Sequence, residues 1–295
     1  MGANLFSSIG NWIGDFLAAC IRLMVRLIGR RVTREEAPWL NCPMGTSKLI
    51  GADFYHQLAI DEQLKIADEP AGLLTDFSLL KGEGFDPTQV RQEIHEFYER
   101  TSEFRLEAWS EAPFFTRMFL WVLTRFVSRR MNQLNFPVSS LELAGGMTSD
   151  LLPMNNDSGQ RVYTGWLRRL AKSGHVIYTG LYSVESPGEF ADPCVKVSFP
   201  LPQGSATVFL RPEAQPDGSF KLISSGRKFG EPGFYRMVEL KPGVWKVRNF
   251  RTLREYFHVY VDESGMLRTD HLVTFLRLTI LRLHYKCERA KPMVD

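Results

Sequence analysis

The chain has 295 residues, of which 44% are hydrophobic, 23% charged and 12% aromatic, and its net charge is +3. These proportions exclude a disordered, collagen-like or disulfide-dense protein. No run of about 18 uncharged apolar residues is present, so the sequence predicts no ordinary transmembrane helix. The four cysteines are far apart and form no Cys-x-x-Cys pair; we predict no metal site and no cofactor.

Two short blocks contain most of the excess positive charge. Residues 1–31 have a local net charge of +3, and residues 112–141 have one of +4. In each block apolar residues cover most of a helical circumference, from Leu5 to Ile28 and from Phe114 to Met131. This pattern is typical of helices that lie in a membrane interface, although a helix buried in the core of its own domain would show the same wide apolar arc.

Charge that is concentrated in this way favours an anionic membrane surface as a partner, and it predicts no nucleic-acid binding. Each basic residue near such a surface adds about 1 kcal/mol of attraction. We predict a peripheral protein at the cytoplasmic face of a membrane, where anionic lipids are found. The predicted membrane contacts are Trp12, Phe16, Arg22, Arg26, Arg30, Arg31, Phe115, Phe119, Arg125 and Arg129.

Between the two basic blocks the sequence predicts two further helices. One extends from about Ala52 to Ala67. The clearer one begins near Pro87 and keeps a 3.6-residue apolar period up to Trp109. The N-terminal half is therefore predicted to be helical.

From Arg161 onward the apolar period changes to two, and turn signals recur roughly every 10 to 15 residues, which predicts strands. About nine such strands predict an antiparallel meander closed as a barrel or half-barrel, and small barrels can hold one apolar ligand. The predicted fold class is α+β. It comprises a helical region that faces a membrane or a partner (residues 1–135), a linker (residues 136–160) and the barrel-like domain (residues 161–295).

The first predicted hairpin has aromatic residues on both faces. A two-residue turn at Ser173 and Gly174 would place Trp166 opposite Leu181. Trp166 and Tyr182 are candidates for the wall of a ligand site, and the alternative is a strand pair covered by protein on both faces. A Gly-rich basic loop at residues 224–233 resembles an anion cradle only weakly, and a strand-crossing or bulged loop explains it better.

The last predicted hairpin contains the most informative polar residues. A turn at residues 262–265 would place His258 opposite Asp270 and Tyr260 opposite Arg268. His258 and Asp270 are the candidate catalytic pair, because a carboxylate can orient a histidine that acts as a general base. Tyr256, Tyr260 and Arg268 are candidate ligand-binding residues on the same face. The alternative is an exterior cross-strand charge pair, which is common on antiparallel sheets.

Three hypotheses of function follow. The first is a peripheral membrane-associated binding protein that holds a lipid, isoprenoid or pigment in its barrel. The second is an accessory subunit of a membrane protein complex, anchored by its amphipathic helices. The third is an enzyme that carries out acid/base chemistry on an apolar ligand.

Overall fold

The computed structural model describes residue 16 and residues 18–45, 53–113 and 146–290. The second basic segment predicted from Phe114 to Met131 lies outside these residues. So do five of the predicted membrane contacts, which are Trp12, Phe115, Phe119, Arg125 and Arg129.

The described part of the chain is mainly antiparallel sheet, and the prediction of a helical N-terminal half is wrong. Its α-helices are residues 18–28 (α1), Phe54–Asp61 (α2) and Gln92–Glu99 (α3). Four short 3-10 segments accompany them at Pro38–Leu40, Phe77–Leu80, Pro87–Gln89 and Thr101–Glu103.

The helix predicted to reach Trp109 ends at Glu99. The Thr101 hydroxyl donates to the Phe97 carbonyl at 2.6 Å, which satisfies a carbonyl at the end of the helix. Residues Phe104–Glu111 then form a strand. Phe104, Leu106 and Ala108 fit a period of two as well as they fit a helical face, so the apolar pattern could not separate the two structures.

Fourteen strands are present in the described segments, and they join into one antiparallel sheet. They are β1 (Arg30–Thr33), β2 (Lys65–Ile66), β3 (Phe104–Glu111), β4 (Met147–Asn155), β5 (Arg161–Leu170), β6 (Val176–Glu185), β7 (Cys194–Leu201), β8 (Gly204–Ala214), β9 (Phe220–Ile223), β10 (Phe234–Lys241), β11 (Val244–Asn249), β12 (Leu253–Val261), β13 (Leu267–Phe275) and β14 (Leu278–Arg289). Residues 147–155 of the predicted linker therefore form β4.

The sheet is curled but open, so the predicted closed barrel is also wrong. Its main path runs β2-β4-β5-β6-β7-β8-β9-β12-β13-β14-β3. β3 and β4 approach each other within 8 Å between Cα atoms, but no β3–β4 ladder joins them, and β2 takes part of the β4 edge. Strand β8 is long enough to pair with β10 along its first half and with β9 along its second half. The β10–β11 hairpin therefore branches from the path and pairs with β1, which interrupts the predicted meander.

The concave side of the sheet, here called the inner face, contains the largest apolar core. Apolar residues of β7, β8, β9 and β12 are buried there, including Val197, Leu210 and Val259. An aromatic cluster covers one end of this face. It combines Phe77 and Phe85 from the segment before α3, Phe97 and Tyr98 of α3, and Phe220 of β9. A second core, around Trp39 and Tyr235, packs the β1–β11–β10 branch against β8.

The predicted register is correct in the last hairpin and wrong in the first. The β12–β13 ladder places His258 opposite Asp270 and Tyr260 opposite Arg268, as predicted. In the β5–β6 hairpin the predicted register is shifted by one residue, since Trp166 lies opposite Gly180 rather than Leu181. The two-residue turn is wrong there because β5 ends at Leu170 and β6 begins at Val176.

Candidate functional site

The inner face encloses a cavity of about 270 Å³. Side chains from β3, β5–β10 and β12–β14 line it, together with Leu73 and the α3 residues Phe97 and Tyr98. Most of this wall is apolar. Its polar side chains are Arg168, Glu255, Thr269, His271 and several tyrosines. An apolar cavity with a few convergent polar groups is the usual form of a small-molecule site.

Arg168 on β5 is the most unusual residue of the wall. Its side chain is 7% exposed, and its guanidinium lies 5.0 Å from the ring centres of both Trp166 and Tyr285. Its hydrogen-bond partners in the described structure are neutral and distant: the Tyr285 hydroxyl at 3.5 Å and the Met147 sulfur at 3.7 Å. The buried Nε atom has no hydrogen-bond partner within the part of the chain that the structure describes. Among the described residues no carboxylate forms an ion pair with this guanidinium.

Two tyrosines of β6 form a hydrogen-bonded pair on the same wall. The Tyr178 and Tyr182 hydroxyls are 2.8 Å apart, and both rings contact Trp166. Gly180 makes room for this arrangement, because a Cβ atom there would lie 2.5 Å from the Tyr178 hydroxyl. Burial raises the pKa of both hydroxyls, while Arg168 lowers and Glu255 raises the pKa of Tyr182. Both hydroxyls are therefore protonated near neutral pH, so one donates to the other and the second O–H remains available to a ligand.

A histidine and a carboxylate also meet inside the cavity. The His271 Nε2 and a Glu255 carboxylate oxygen are 3.2 Å apart, and both side chains are largely buried. The His271 ring stacks on Phe257 with ring centres 3.8 Å apart, which fixes its orientation. The Glu255 backbone is held by its N–H, which donates to the Ser224 hydroxyl at 2.8 Å. The sequence interpretation missed this pair because its members are diagonal, not opposite, in the ladder.

The predicted catalytic pair lies on the other face of the same hairpin. Glu255 and Phe257 line the cavity, so the alternate residues Tyr256, His258 and Tyr260 of β12 face outward. His258 Nε2 is bonded to the Ser219 hydroxyl at 2.9 Å. Burial and the nearby Lys221 lower the pKa of His258.

Asp270 has a different histidine as its partner. Its carboxylate is 2.8 Å from Nδ1 of His284, so the structure does not bring His258 and Asp270 together as a hydrogen-bonded pair. Arg268, predicted to bind ligand, also faces outward, and its Nε donates to Asp262 at 2.8 Å. Of the five predicted ligand-binding residues, Trp166 and Tyr182 line the cavity.

In the Gly-rich loop at residues 224–233, the backbone N–H groups bind a carboxylate of the loop itself, that of Glu231. One Glu231 carboxylate oxygen accepts the backbone N–H groups of Arg227 at 2.7 Å and Lys228 at 3.1 Å. These hydrogen bonds lower the pKa of Glu231. The Glu231 side chain thus occupies the position that an external anion would take, and the loop crosses between β9 and β10.

The described part of the first basic segment presents an exposed apolar surface. In α1 the exposed side chains include Leu23, Leu27 (70% exposed) and Ile28, and Phe16 is also exposed. Val25 is fully buried. At the end of the helix the Gly29 carbonyl accepts a hydrogen bond from the Lys246 Nζ of β11 at 3.0 Å, which joins the helix to that strand.

The predicted arginine contacts of this segment lie in two elements. Arg22 is partly buried and Arg26 is exposed, both on α1. Arg30 and Arg31 lie exposed in β1 and not in the helix, and Arg30 is 4.7 Å from the ring centre of Phe229. Within the described residues no helix is both long and apolar enough to cross a membrane.

A second exposed apolar surface, at the β13–β14 turn, was not predicted. Leu276 and Arg277 form the turn with φ angles of 51° and 70°, a left-handed conformation that is unfavourable for both residue types. Phe275, Leu276 (60% exposed) and Leu278 are exposed around it. The sequence contains no Gly, Asn or Asp at this position, so no turn signal marked it.

The fold and the site together define an open, curled antiparallel sheet with a largely apolar internal cavity and an exposed amphipathic helix. Among curated proteins, the chain is similar to a Bacillus subtilis (strain 168) protein named "Uncharacterized membrane protein YndJ", with 25% identity over 295 residues. The match covers 96% of this chain and 50% of that protein, so the chain spans about half the length of its relative. No family model matches the sequence, and no solved structure matches the fold.

Proposed function

We propose that this protein is a peripheral membrane-associated binding protein that holds an apolar ligand in the cavity of its curled sheet. The observation that carries the proposal is the cavity itself, whose wall is apolar except for one group of polar side chains. Burying a ligand's apolar surface in such a wall contributes about 25 cal/mol per Å². The volume of about 270 Å³ is slightly below the usual range of roughly 300–1,000 Å³ for ligand pockets, so it suits one acyl or isoprenoid chain.

The membrane part of the proposal is supported by α1. The helix combines exposed Leu23, Leu27 and Ile28 with the exposed Arg26, and the exposed Arg31 follows in β1, which is the composition of an interfacial segment. The relative's name, a membrane protein, is consistent with this role. Anionic lipids of the cytoplasmic leaflet would attract the basic residues, and the apolar side chains would enter the headgroup boundary.

The ligand part is tested by native mass spectrometry of the purified chain, followed by extraction and identification of bound lipids. We expect a stoichiometric apolar molecule, and its replacement by an added fluorescent fatty acid after delipidation. Protein that neither retains an apolar molecule nor binds the fluorescent probe would contradict the container proposal. Filling the cavity, for example by Val197→Trp, should reduce probe binding if the protein stays folded by circular dichroism.

The membrane part is tested by vesicle flotation. Binding to neutral vesicles of phosphatidylcholine is compared with binding to anionic vesicles in which about one lipid in three is phosphatidylglycerol. Arg26→Glu with Arg31→Glu should weaken binding to the anionic vesicles, and Leu23→Ser with Leu27→Ser should weaken binding to both. A matched control changes two exposed basic residues outside α1 and β1, Lys81 and Lys172, to Glu. Equal losses in the control and in the variants of residues 23–31 would show that this segment is not the contact.

An accessory subunit of a membrane complex is the second candidate, because the same exposed α1 surface could pack on a membrane protein. Flotation separates the two functions. Binding to protein-free vesicles supports the lipid interface. Binding only to membranes that retain their proteins supports the subunit.

A further inference from the structure

We propose that the ligand of the cavity is an amphiphile with a single negative charge, a long-chain carboxylate whose headgroup binds Arg168. This inference rests on the proposed function, since it names the chemistry of the molecule that the cavity holds. Its basis is a buried cation on the cavity wall that the described protein leaves without an anionic partner.

Other buried cations of the sheet differ from Arg168 in their hydrogen bonds. Lys196 Nζ donates to the Asn41 carbonyl at 2.6 Å. Arg236 donates to the carbonyls of Ser205, at 2.9 Å, and Met237. Among the described residues Arg168 has only long hydrogen bonds, to Tyr285 and Met147, and its Nε has no hydrogen-bond partner. A buried charge is normally paired or fully hydrogen-bonded, so this guanidinium has the unfilled donors of a binding site.

The rest of the polar wall defines the charge that the site would accept. The Glu255 carboxylate is bonded to His271 and, among the described residues, forms no ion pair with Arg168. Tyr178 and Tyr182 form a neutral hydroxyl pair on the same wall, in which one O–H is used within the pair. A guanidinium with unfilled donors suits a monoanion, and its planar fork matches the two oxygens of a carboxylate. A phosphate monoester, which carries nearly two negative charges at neutral pH, would leave part of its charge unpaired.

The remaining wall accounts for the chain of the ligand. Phe199, Leu210, Leu222 and Phe257 belong to the same cavity and offer no hydrogen bond to a second polar group. A molecule that is charged at one end and apolar along its length therefore satisfies both parts of the wall. A wholly apolar molecule would leave the guanidinium unpaired, and a small polar anion would leave the apolar wall unfilled.

The test uses the delipidated full-length chain and three probes of equal chain length: dodecanoate, dodecanol and dodecyl phosphate. Binding is measured by titration calorimetry for the wild type, Arg168→Met and Arg169→Met. Arg169 is the matched control, because it is the neighbouring arginine and is paired with Asp150. We expect the wild type and Arg169→Met to bind dodecanoate at least about tenfold more tightly than dodecanol. Arg168→Met should keep the dodecanol affinity and lose this preference.

The outcomes separate the two proposals. If the wild type binds none of the three probes, the container proposal itself fails. If it binds dodecanol and dodecanoate equally, or if Arg168→Met keeps the preference, the container stands and the headgroup inference is overturned. Tighter binding of dodecyl phosphate than of dodecanoate would overturn the monoanion assignment. If Arg168→Met does not fold, Arg168→Gln replaces it, with the same expected loss of preference.

Discussion

Replacing Arg168 with methionine should stabilise the empty protein slightly, although it removes the inferred anion site. The guanidinium is 7% exposed, and its hydrogen-bond partners in the described structure are neutral. Removing it therefore leaves no opposite charge buried and unpaired. Methionine retains most of the apolar side chain and brings no charge that must be desolvated.

The sign of the stability change in Arg168→Met follows from comparing the cost of burying the guanidinium with the contacts that it makes. Burying a charge costs several kcal/mol after relaxation. The variant loses two contacts between a cation and an aromatic ring, each about 0.5–2 kcal/mol, to Trp166 and Tyr285. It also loses a hydrogen bond of about 0.5–1.5 kcal/mol, and the 3.5 Å length places this bond at the weak end. We expect a net stabilisation of about 1 kcal/mol, which raises the Tm of a chain this size by about 2 °C.

The assay is thermal and urea denaturation of the delipidated wild type, Arg168→Met and Arg169→Met, followed by circular dichroism. Arg169→Met should change stability by less than about 1 kcal/mol, because its pair with Asp150 is partly exposed. Adding dodecanoate at 100 times its dissociation constant should stabilise the wild type by about 2.7 kcal/mol and Arg168→Met by much less.

A loss of more than about 2 kcal/mol in the empty Arg168→Met protein would refute this reasoning. It would show that the contacts of Arg168 with Trp166 and Tyr285 outweigh the desolvation of its charge. Arg168 would then be a structural residue of the core, and its missing carboxylate would carry no information about a ligand.

Three further predictions concern the fold. Gly165→Ala should cost about 1–3 kcal/mol in urea denaturation, because its Cβ would lie 2.5 Å from the buried Tyr55 ring, and adding Tyr55→Leu should cost less than the two single changes together. Arg277→Gly should raise the free energy of unfolding by roughly 0.5–1 kcal/mol, because glycine adopts a φ of 70° without strain; an unchanged midpoint would contradict this. Burial raises the pKa of Cys287 from 9.0 to about 12, so in native protein at pH 8 an aromatic disulfide reagent should modify the exposed Cys20 and not Cys287. The Cys287 thiol ionises first in the unfolded chain, so its contribution to stability should fall as pH rises from 9 to 12, by up to about 1.4 kcal/mol per pH unit. Burial also raises the pKa of Cys194 and Tyr182, which adds to the total slope, and Cys287→Ala should reduce that slope.

Local signals predicted the strands after Arg161 and the register of the last hairpin, but not β1 to β4. The register of β12 and β13 is set by the turn after Val261, where Asp262 accepts the N–H groups of Ser264 and Met266, each at 3.0 Å. The turn between β5 and β6 has one long side-chain hydrogen bond, from the His175 N–H to the Ser173 hydroxyl at 3.4 Å, and a bulge after Arg168 shifts its register. Register was therefore predictable where a turn residue fixes it, and not where a bulge intervenes.

Alternation along a strand showed which residues share a face but not which face is inside. His258 and Asp270 were chosen because they lie opposite each other, yet Val259, between His258 and Tyr260, is fully buried. The cavity therefore receives the odd-numbered residues, including Glu255 and His271. The face was decided by contacts with β9, β14 and α3, which are distant in sequence, and no local pattern contains that information.

The long-range pairings were beyond prediction for the same reason. β9 pairs with β12 and not with β10, and β1 pairs with β11 more than 200 residues away, as Arg30 lies opposite Val247. β3 was predicted as helix because its alternation is short and follows a true helical segment. By contrast, the end of α1 at residue 28 matched the prediction, because the apolar pattern stops there and Gly29 and Arg30 follow.

The open edge of the sheet and the unpaired arginine are connected. β5 is adjacent to β4 and β14 is adjacent to β3, and Arg168 on β5 contacts Tyr285 on β14 at the side of the sheet where no ladder joins β3 to β4. Among the described residues this contact consists of a 3.5 Å hydrogen bond and a ring contact, where a closed barrel would add backbone hydrogen bonds between β3 and β4. A ligand carboxylate that binds Arg168 would therefore displace only its long contacts to Tyr285 and Met147, so little of the protein's own hydrogen bonding opposes binding.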